Sequence, residues 1–276
     1  MPRRTCELFA RRWIFLVMQN NVLKVPEKSP PRAGALPHLS IKDLGLKRNG
    51  RWLFRNLNWD VPRGSVVAVV GPSGVGKSSL LNCLAGLAAP TEGNLTFSCN
   101  AGCLHRASEY QKRVGIIFQG LLLSENSSVL RNVLCGRLGR YSWWRTLFRF
   151  PRSDKEAAAL MLADLGLGAH LHRRAADISG GEQQRAAVAR ALFQEPELLL
   201  ADEPVSELDV YLCGRVLGIL RQEAHENGRT VFCVLHDPAL LERFADYVLS
   251  LDPMNPEKWR VREIHAYASP ARSSHN

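Results

Sequence analysis

The sequence lacks the long hydrophobic runs from which membrane-spanning helices are made. Its longest apolar runs, such as residues 13–18 and 66–70, are far shorter than the ~20 residues that a helix needs to cross a bilayer. Residues 1–25 combine four Arg with a six-residue apolar stretch, but no small-residue cleavage site follows. We therefore expect neither a membrane span nor a signal peptide, and Met18 is an alternative start of the chain.

The sequence also lacks the cysteine spacing of a metal site or of a secreted disulfide framework. Its seven cysteines are an odd number and include no C-x-x-C pair. Cys99 and Cys103 lie close together, but no second pair completes a metal site. The pattern indicates reduced thiols in a protein of a reducing compartment.

The net charge of +10 is concentrated in two segments. Residues 1–38 hold seven Lys or Arg against two Glu, and residues 137–155 hold six against one Asp, so the rest of the chain is neutral. Positive segments can serve nucleic acid, an anionic membrane surface or solubility. Composition does not choose among these three.

One stretch carries recognisable chemistry: residues 71–79 read G-P-S-G-V-G-K-S-S. Glycines at this spacing let backbone N–H groups wrap phosphates, while the Lys adds charge and the following Ser a Mg²⁺ ligand. An apolar strand pattern precedes the loop and a helical pattern follows it, so the helix N-terminus faces the phosphates. We therefore predict a P-loop rather than a chance Gly-rich turn. Its candidate residues are Gly71, Ser73, Gly74, Gly76, Lys77, Ser78 and Ser79.

The rest of the chain alternates predicted strands and helices, which indicates an α/β fold with a mainly parallel sheet covered on both faces. Asn49-Gly50 predicts a hairpin between two strands that lie beside the nucleotide. Further strands are predicted at residues 93–97, 114–118, 197–201, 230–235, 247–251 and 259–264. Helices are predicted at residues 78–86, 127–138, 154–165, 208–226 and 238–244, and from the motif at 178–185 through 193.

Two carboxylates follow a buried strand, in the run L-L-L-A-D-E-P of residues 198–204. A P-loop needs a second Mg²⁺ ligand at the end of a neighbouring strand, and Asp202 fits. Glu203 is then placed to polarise the attacking water. The alternative is a polar strand end before a Pro turn.

The run Ser179-Gly180-Gly181-Glu182-Gln183 resembles the signature motif of the ATP-binding cassette (ABC) family. The resemblance covers roughly residues 39–265. It implies that Ser179 and Gly181, at a helix N-terminus, bind the γ-phosphate of an ATP held by a second copy of the domain. One chain then supplies half of each active site.

Three more motifs resemble that family in the expected order. The resemblance implies that Gln119 contacts Mg²⁺ or the attacking water, and that His236 contacts the γ-phosphate. It also implies that residues 206–209, with Asp209, form a loop at the dimer interface. Each of these residues alone could be structural.

The sequence departs from the family pattern at the position that stacks on adenine. The family has an aromatic residue there, and this chain has Arg48 near it. A guanidinium plane can stack on a base, so Arg48 is the predicted base contact. Trp52 is an alternative platform that could equally belong to the core.

Residues 127–139, followed by Trp143-Trp144-Arg145, resemble the helical subdomain of phosphonate-import ATP-binding subunits, as do residues 201–205. The resemblance implies ATP hydrolysis with Mg²⁺ by a homodimer on the cytoplasmic face of the membrane. It implies a membrane permease as partner, a periplasmic or extracellular solute-binding protein as indirect partner, and phosphonate or a related oxyanion as solute. Another import or export system, or an ATPase of nucleic acid or ribosomes, is the alternative. We expect no nucleic-acid partner, because the chain has neither two cassettes nor a long coiled-coil insertion.

The expected organisation is one P-loop NTPase domain at residues 38–265 with the ABC ATPase fold. The resemblance adds an antiparallel β subdomain and an α-helical subdomain inserted at about residues 120–190. We expect residues 1–37 to be a disordered extension and linker, and residues 266–276 a disordered tail.

Overall fold

The computed structural model describes residues 38–99, 102–104, 107–141 and 150–264. The strands are β1 (Leu39–Arg48), β2 (Arg51–Val61), β3 (Val66–Val70), β4 (Glu92–Cys99), β5 (Gly102–Leu104), β6 (Val114–Ile117), β7 (Leu198–Ala201), β8 (Thr230–Val234), β9 (Tyr247–Leu251) and β10 (Trp259–Glu263). The helices are α1 (Lys77–Leu84), α2 (Ala107–Gln111), α3 (Val129–Leu134), α4 (Arg152–Asp164), α5 (Gly180–Phe193), α6 (Val210–His225) and α7 (Pro238–Phe244).

Within these ranges a mainly parallel sheet has the strand order β10-β9-β3-β8-β7-β6. All its neighbouring strands pair in parallel except β9 and β10, which form an antiparallel pair. Three of its inner strands, β3, β7 and β8, are apolar runs apart from Thr230 and are buried along almost their whole length. Such runs are typical of parallel strands covered on both faces, so the predicted α/β fold is confirmed.

A second, antiparallel sheet has the order β2-β1-β4-β5 within the described residues. The turn between β1 and β2 contains Asn49 with a φ of 49° and Gly50 with a φ of 80°. Positive φ at both positions is the requirement of a tight two-residue hairpin, which confirms the predicted Asn-Gly turn.

A separate hydrophobic core packs against each face of the parallel sheet. Val67 and Val69 of β3 pack in the core shared with the antiparallel sheet and α1. Val66 and Ala68 of the same strand pack in the core shared with α4, α5 and α6. The alternation of side chains along one strand thus joins the two layers that flank the loop after β3.

The helical region between β6 and β7 is held together by the buried side chain of Arg137. Its Nη1 donates to Asp154 Oδ1 over 2.7 Å, its Nη2 to Glu195 Oε1 over 2.5 Å, and its Nε to the Phe193 carbonyl over 3.0 Å. These bonds tie the segment after α3 to the start of α4 and the end of α5. A buried guanidinium with this many partners specifies one arrangement of the three helices.

The predicted elements are present, with shifted ends. The predicted helix at 127–138 is a short α-helix followed by a 3₁₀ turn at Cys135–Arg140. A Cβ at Gly136 would overlap the carbonyl of Arg190, so the turn depends on close backbone packing. The sequence analysis predicted neither β5 nor α2.

The subdomain limits at about 120 and 190 stay a prediction. Residues 1–37, 266–276 and most of the Arg- and Trp-rich link, residues 142–149, lie outside the described residues. In the described parts of the chain, no helix combines the length and the apolar character needed to span a membrane.

Candidate active site

The loop of residues 71–79 joins the end of β3 to the start of α1. Gly74 and Gly76 have φ values of 76° and 115°, which residues other than Gly seldom adopt. A Cβ at Gly76 would lie 3.0 Å from Leu53 Cβ, and one at Gly71 would lie 3.1 Å from the Leu251 carbonyl. The glycines thus let the loop pass between β2 and the end of β9. Helix α1 then begins after Gly76, and no side chain caps its first N–H groups.

Lys77 is the test of whether this loop fits a phosphate. Its side chain is only 7% exposed, and its Nζ donates to the carbonyls of Gly71 over 2.8 Å and Pro72 over 3.1 Å. Among the described residues it forms no ion pair with a carboxylate. A buried ammonium without an anion is costly, and the loop around it is a cradle of glycines. The arrangement therefore fits an anionic phosphate group beside Lys77.

The other polar residues of the loop lie at its open side. Ser73 and Ser78 are exposed, and Ser79 is half-buried in the first turn of α1. The Ser78 hydroxyl is thus accessible at the helix start. A Mg²⁺ ligand there needs this access, because the metal also binds phosphate oxygens.

Asp202 follows β7, and its backbone N–H donates to the Ile117 carbonyl over 2.9 Å, which joins the ends of β7 and β6. Its carboxylate forms no hydrogen bond or ion pair with any other described residue. No group of three or more His, Cys, Asp or Glu side chains that could hold a metal occurs in the described residues. Mg²⁺ at phosphate sites takes only one or two carboxylates besides water and phosphate oxygens, so one hydroxyl and one carboxylate fit it.

The structure brings together the three residues predicted to be catalytic. Glu203 Oε1 lies 2.9 Å from His236 Nε2, and Glu203 Oε2 accepts a 3.5 Å hydrogen bond from Gln119 Nε2. Glu203 has a φ of 52°, the left-handed region that costs a non-glycine residue about 1 kcal/mol or more. The backbone strain and the two side-chain contacts hold this carboxylate in one place.

The signature turn is a capped helix start. Ser179 Oγ accepts a hydrogen bond from the N–H of Glu182 over 3.4 Å, while Glu182 Oε2 accepts from the Ser179 N–H over 2.8 Å and from its hydroxyl over 2.9 Å. These bonds lower the pKa of the Glu182 carboxyl. The reciprocal capping box fixes where α5 begins. Gly180 and Gly181 are the first two residues of this helix, so their N–H groups belong to its first turn.

Gln184 is a site residue that the sequence analysis did not single out. It is buried, its Nε2 donates to the Glu203 carbonyl over 3.0 Å, and its Oε1 accepts from the Glu207 N–H over 3.1 Å. It therefore connects α5 to the residue after β7 and to residues 206–209. Its signal in the sequence was a polar residue two positions before the buried run Ala186–Ala189.

The loop at residues 206–209 lies against the signature turn of the same chain. A Cβ at Gly180 would overlap the carboxylate of Glu207, and one at Gly181 would lie 3.3 Å from its carbonyl. Asp209 caps α6 by accepting from the Leu212 N–H over 3.0 Å. The side chain of Asp209 thus has a structural partner within the chain, and its predicted contact with nucleotide stays a prediction.

The two candidates for the base contact are placed differently. Arg48 is exposed and pairs with Arg51 across the hairpin. Trp52 is half-buried and lines a cavity together with Gly74 of the loop, and Arg48 is not among the residues that line it. The geometry therefore puts Trp52 beside the loop, and the predicted base contact of Arg48 stays a prediction.

A phosphate-binding loop after β3, a carboxylate pair after β7 and a capped glycine turn before α5 define the nucleotide-binding cassette class of ATPases. Residues 54–206 match the profile of the family described as ABC transporter. The chain belongs to the ABC transporter family, and it is an ATP-hydrolysing subunit of such a transporter.

Among curated relatives, the chain is 38% identical over 229 residues to a phosphonates import ATP-binding protein of Nitratidesulfovibrio vulgaris, covering 80% of this chain and 86% of that protein. It is 37% identical over 218 residues to one of Wolinella succinogenes, covering 77% and 79%. The alignments therefore span most of both partners.

Solved structures give the same family. A metal-chelate type ABC transporter in an inward-facing conformation superposes with a TM-score of 0.67 at 30% identity, covering 82% of this chain and 83% of that one. A dimeric ATP-binding cassette in a post-hydrolysis state, bound to ADP and Pi, superposes with a TM-score of 0.71 at 25% identity, covering 83% and 100%. The predicted ABC ATPase fold is thereby confirmed.

Proposed function

We propose that this chain powers the import of phosphonate or a related oxyanion through a separate membrane permease, as a peripheral subunit on the cytoplasmic face. The observation that carries the proposal is the 38% identity, over 80% of the chain, to a phosphonates import ATP-binding protein. The complete set of Lys77, Asp202, Glu203 and His236 in the fold supports turnover of ATP rather than a purely structural role. A solute-binding protein outside the membrane would deliver the solute to the permease.

The phosphate end of the mechanism belongs to the P-loop. Lys77 and the first N–H groups of α1 neutralise the charge of the β- and γ-phosphates, which draws the ammonium away from the two carbonyls that it contacts here. Ser78 and Asp202 would hold Mg²⁺, and Gln119 would be a further contact to the metal or the water. A bound Mg²⁺ supplies positive charge to the phosphate oxygens.

Glu203 orients and deprotonates the attacking water. His236 lies 2.9 Å from its carboxylate and Gln119 lies 3.5 Å from it, so both can steer the same carboxylate toward the γ-phosphate. This is positioning and electrostatic stabilisation, the usual route of phosphoryl transfer.

The site is completed by a second copy of the chain. Among the described residues, no hydrogen bond links residues 71–79 with the signature turn, so one chain does not close its own site. Ser179 and Gly181 of one copy would contact the γ-phosphate held by the other, with Asp209 at the interface. The dimeric relative bound to ADP and Pi supports this arrangement.

Growth on a phosphonate as sole phosphorus source tests the solute. A strain whose own phosphonate importer is deleted receives this chain together with a phosphonate permease and its solute-binding protein, and the control carries Glu203→Gln. We expect growth with the wild-type chain and none with the variant. Equal growth of both strains, or growth of neither strain on a phosphonate or a related oxyanion, would contradict the proposal.

A further inference from the structure

The segment after β6 places Gln119 inside a tight turn. The Leu121 N–H donates to the Phe118 carbonyl over 2.9 Å, which closes the turn around residues 119 and 120. From this turn the Gln119 side chain donates to Glu203 Oε2 over 3.5 Å. The direction of the Gln119 amide therefore depends on the backbone that closes the turn.

That backbone has an unusual conformation. Leu121 and Leu122 have φ values of 55° and 47°, so two successive residues with a Cβ lie in the left-handed region. Each such residue is crowded by its own Cβ and relaxes to a negative φ unless other contacts hold it. The Leu122 side chain is 62% exposed, so its burial does not supply such a contact.

Arg190 of α5 supplies the contact. Its Nη1 donates to the Leu122 carbonyl over 2.6 Å, and its Nη2 donates to the Leu121 carbonyl over 2.6 Å. Hydrogen bonds from a charged donor are stronger than neutral ones, and the planar guanidinium presents two donors side by side. The side chain forms no ion pair within the described parts of the chain. The two carbonyls of the left-handed pair are thus its hydrogen-bond partners there.

The backbone that carries Arg190 is itself fixed. Ala189 and Ala191 on either side of it are buried, and a Cβ at Gly136 would overlap the Arg190 carbonyl. Helix α5 begins at the signature turn. The helix that starts at the signature turn therefore reaches the segment after Gln119 through the side chain of Arg190.

The other end of the same segment is held independently of Arg190. Asn132 of α3 is 3% exposed, and its Oδ1 accepts from the Ser124 N–H over 2.8 Å while its Nδ2 donates to the Ser124 carbonyl over 3.1 Å. Loss of the Arg190 side chain would therefore release the part of the segment next to Gln119 and leave the part at Ser124 in place.

We propose that Arg190 is a positioning residue for ATP hydrolysis, which holds Leu121 and Leu122 in the left-handed conformation and so keeps Gln119 directed toward Glu203. The inference rests on the role proposed above for Gln119. Within the described residues, Arg190 forms no hydrogen bond with the P-loop or with Glu203, so it acts through the segment that it holds. Its loss should lower kcat and leave the KM for ATP unchanged, because the phosphate contacts remain.

Steady-state hydrolysis by the full chain separates kcat from KM. Arg190→Ala should lower kcat about 10-fold at an unchanged KM, because the two leucines relax and Gln119 turns away. Arg190→Lys should recover part of the loss, since an ammonium has no planar fork for two carbonyls. Arg215 of α6 also donates to a backbone carbonyl, that of Asp164 at the end of α4. Arg215→Ala is thus the matched control and should keep the wild-type kcat.

Glycine at the two strained positions separates positioning from general support of the fold. Glycine adopts a positive φ about as readily as a negative one. In a chain that carries Leu121→Gly and Leu122→Gly, adding Arg190→Ala should therefore lower kcat by less than about 3-fold. A loss of stability would not be relieved in this way, because glycine gives the unfolded chain more freedom.

A second cycle tests whether Arg190 acts through Gln119. Gln119→Ala should lower kcat by about the same factor as Arg190→Ala, and the two changes together should lower it no further. A further 10-fold loss in the double variant, or an undiminished loss in the glycine background, would overturn the inference and leave the site assignment intact. A wild-type kcat in Gln119→Ala would refute the role of Gln119 and the inference with it.

Discussion

The P-loop and the signature turn differ in how far one chain satisfies their polar groups. At the P-loop, the buried Lys77 contacts two carbonyls and, among the described residues, no carboxylate. At the signature turn, Ser179 is bonded through both its hydroxyl and its amide to Glu182, and Glu207 lies against Gly180. In the single chain, the ammonium of the P-loop thus lacks a negatively charged partner, whereas the polar groups of Ser179 in the signature turn are hydrogen-bonded.

This difference explains how a divided active site can fold in each copy separately. A loop that lacks a negative partner binds phosphate as soon as nucleotide is present. A turn whose cap is internally bonded is stable without ligand, so in the proposed dimer its remaining N–H groups would wait for the phosphate that the second chain brings. Four substitutions test this contrast, and the first removes the charge of the P-loop.

Lys77→Met should abolish the binding of nucleotide by the single chain and lower ATP hydrolysis by about 100-fold or more, because the buried ammonium of the P-loop is lost. Phosphate release and equilibrium binding measure the two effects. Without nucleotide, the variant should unfold at a temperature no lower than the wild type, since the lost charge had no carboxylate partner. The exposed Lys112 supplies the control, and an equal loss in Lys112→Met would show a general effect of charge.

Glu203→Gln should keep nucleotide binding but lower hydrolysis about 10²–10³-fold, because a carboxamide cannot accept the proton of the water. With both halves intact and turnover blocked, an ATP-bound dimer should accumulate in size-exclusion chromatography. Glu226→Gln, at an exposed carboxylate after α6, should behave like the wild type. Hydrolysis at the parental rate in Glu203→Gln would show that another group is the base.

Ser179→Ala should leave nucleotide binding by the single chain unchanged and lower hydrolysis about 10-fold, because the loss falls on the half that acts across the dimer. The lost cap should also cost about 1 kcal/mol of unfolding free energy. Ser128 caps α3 in the same way, so Ser128→Ala is the matched control: it should lose similar stability and keep hydrolysis. Weaker nucleotide binding by monomeric Ser179→Ala would refute the contrast between the halves.

Gln184→Ala should have the smallest effect on turnover, a severalfold lower kcat with an unchanged KM. Its amide positions the Glu203 carbonyl and the Glu207 N–H, so the variant disturbs the link between the halves but neither phosphate contact. The Glu203 carbonyl still accepts from Ser206, but the Glu207 N–H loses its partner, which should cost about 1–3 kcal/mol of stability. Gln222→Ala, on the surface of α6, is the control, and a raised KM in Gln184→Ala would indicate a role in binding instead.

Much of the fold followed from local patterns. Strands such as β3 and β9 and helices such as α7 matched their predicted ranges closely, because buried runs and an Asp-Pro helix start are local signals. The end of α3 was missed since the 3₁₀ turn there depends on Gly136 packing against the distant Arg190. Gln184 went without a role for the same reason: its partners lie 19 and 23 residues away.

The sequence by itself determined the chemistry of this protein, because the spacing of the glycines, Lys77 and Ser78 in one loop and of Asp202 and Glu203 after one strand is set along the chain. Only the tertiary structure decided that Glu203 meets His236 and Gln119, that Glu207 lies on the signature turn, and that Trp52 lines a cavity with Gly74 of the P-loop. These contacts join residues from different strands and loops. Their distances are fixed by how the two sheets and the helices pack, which no local pattern encodes.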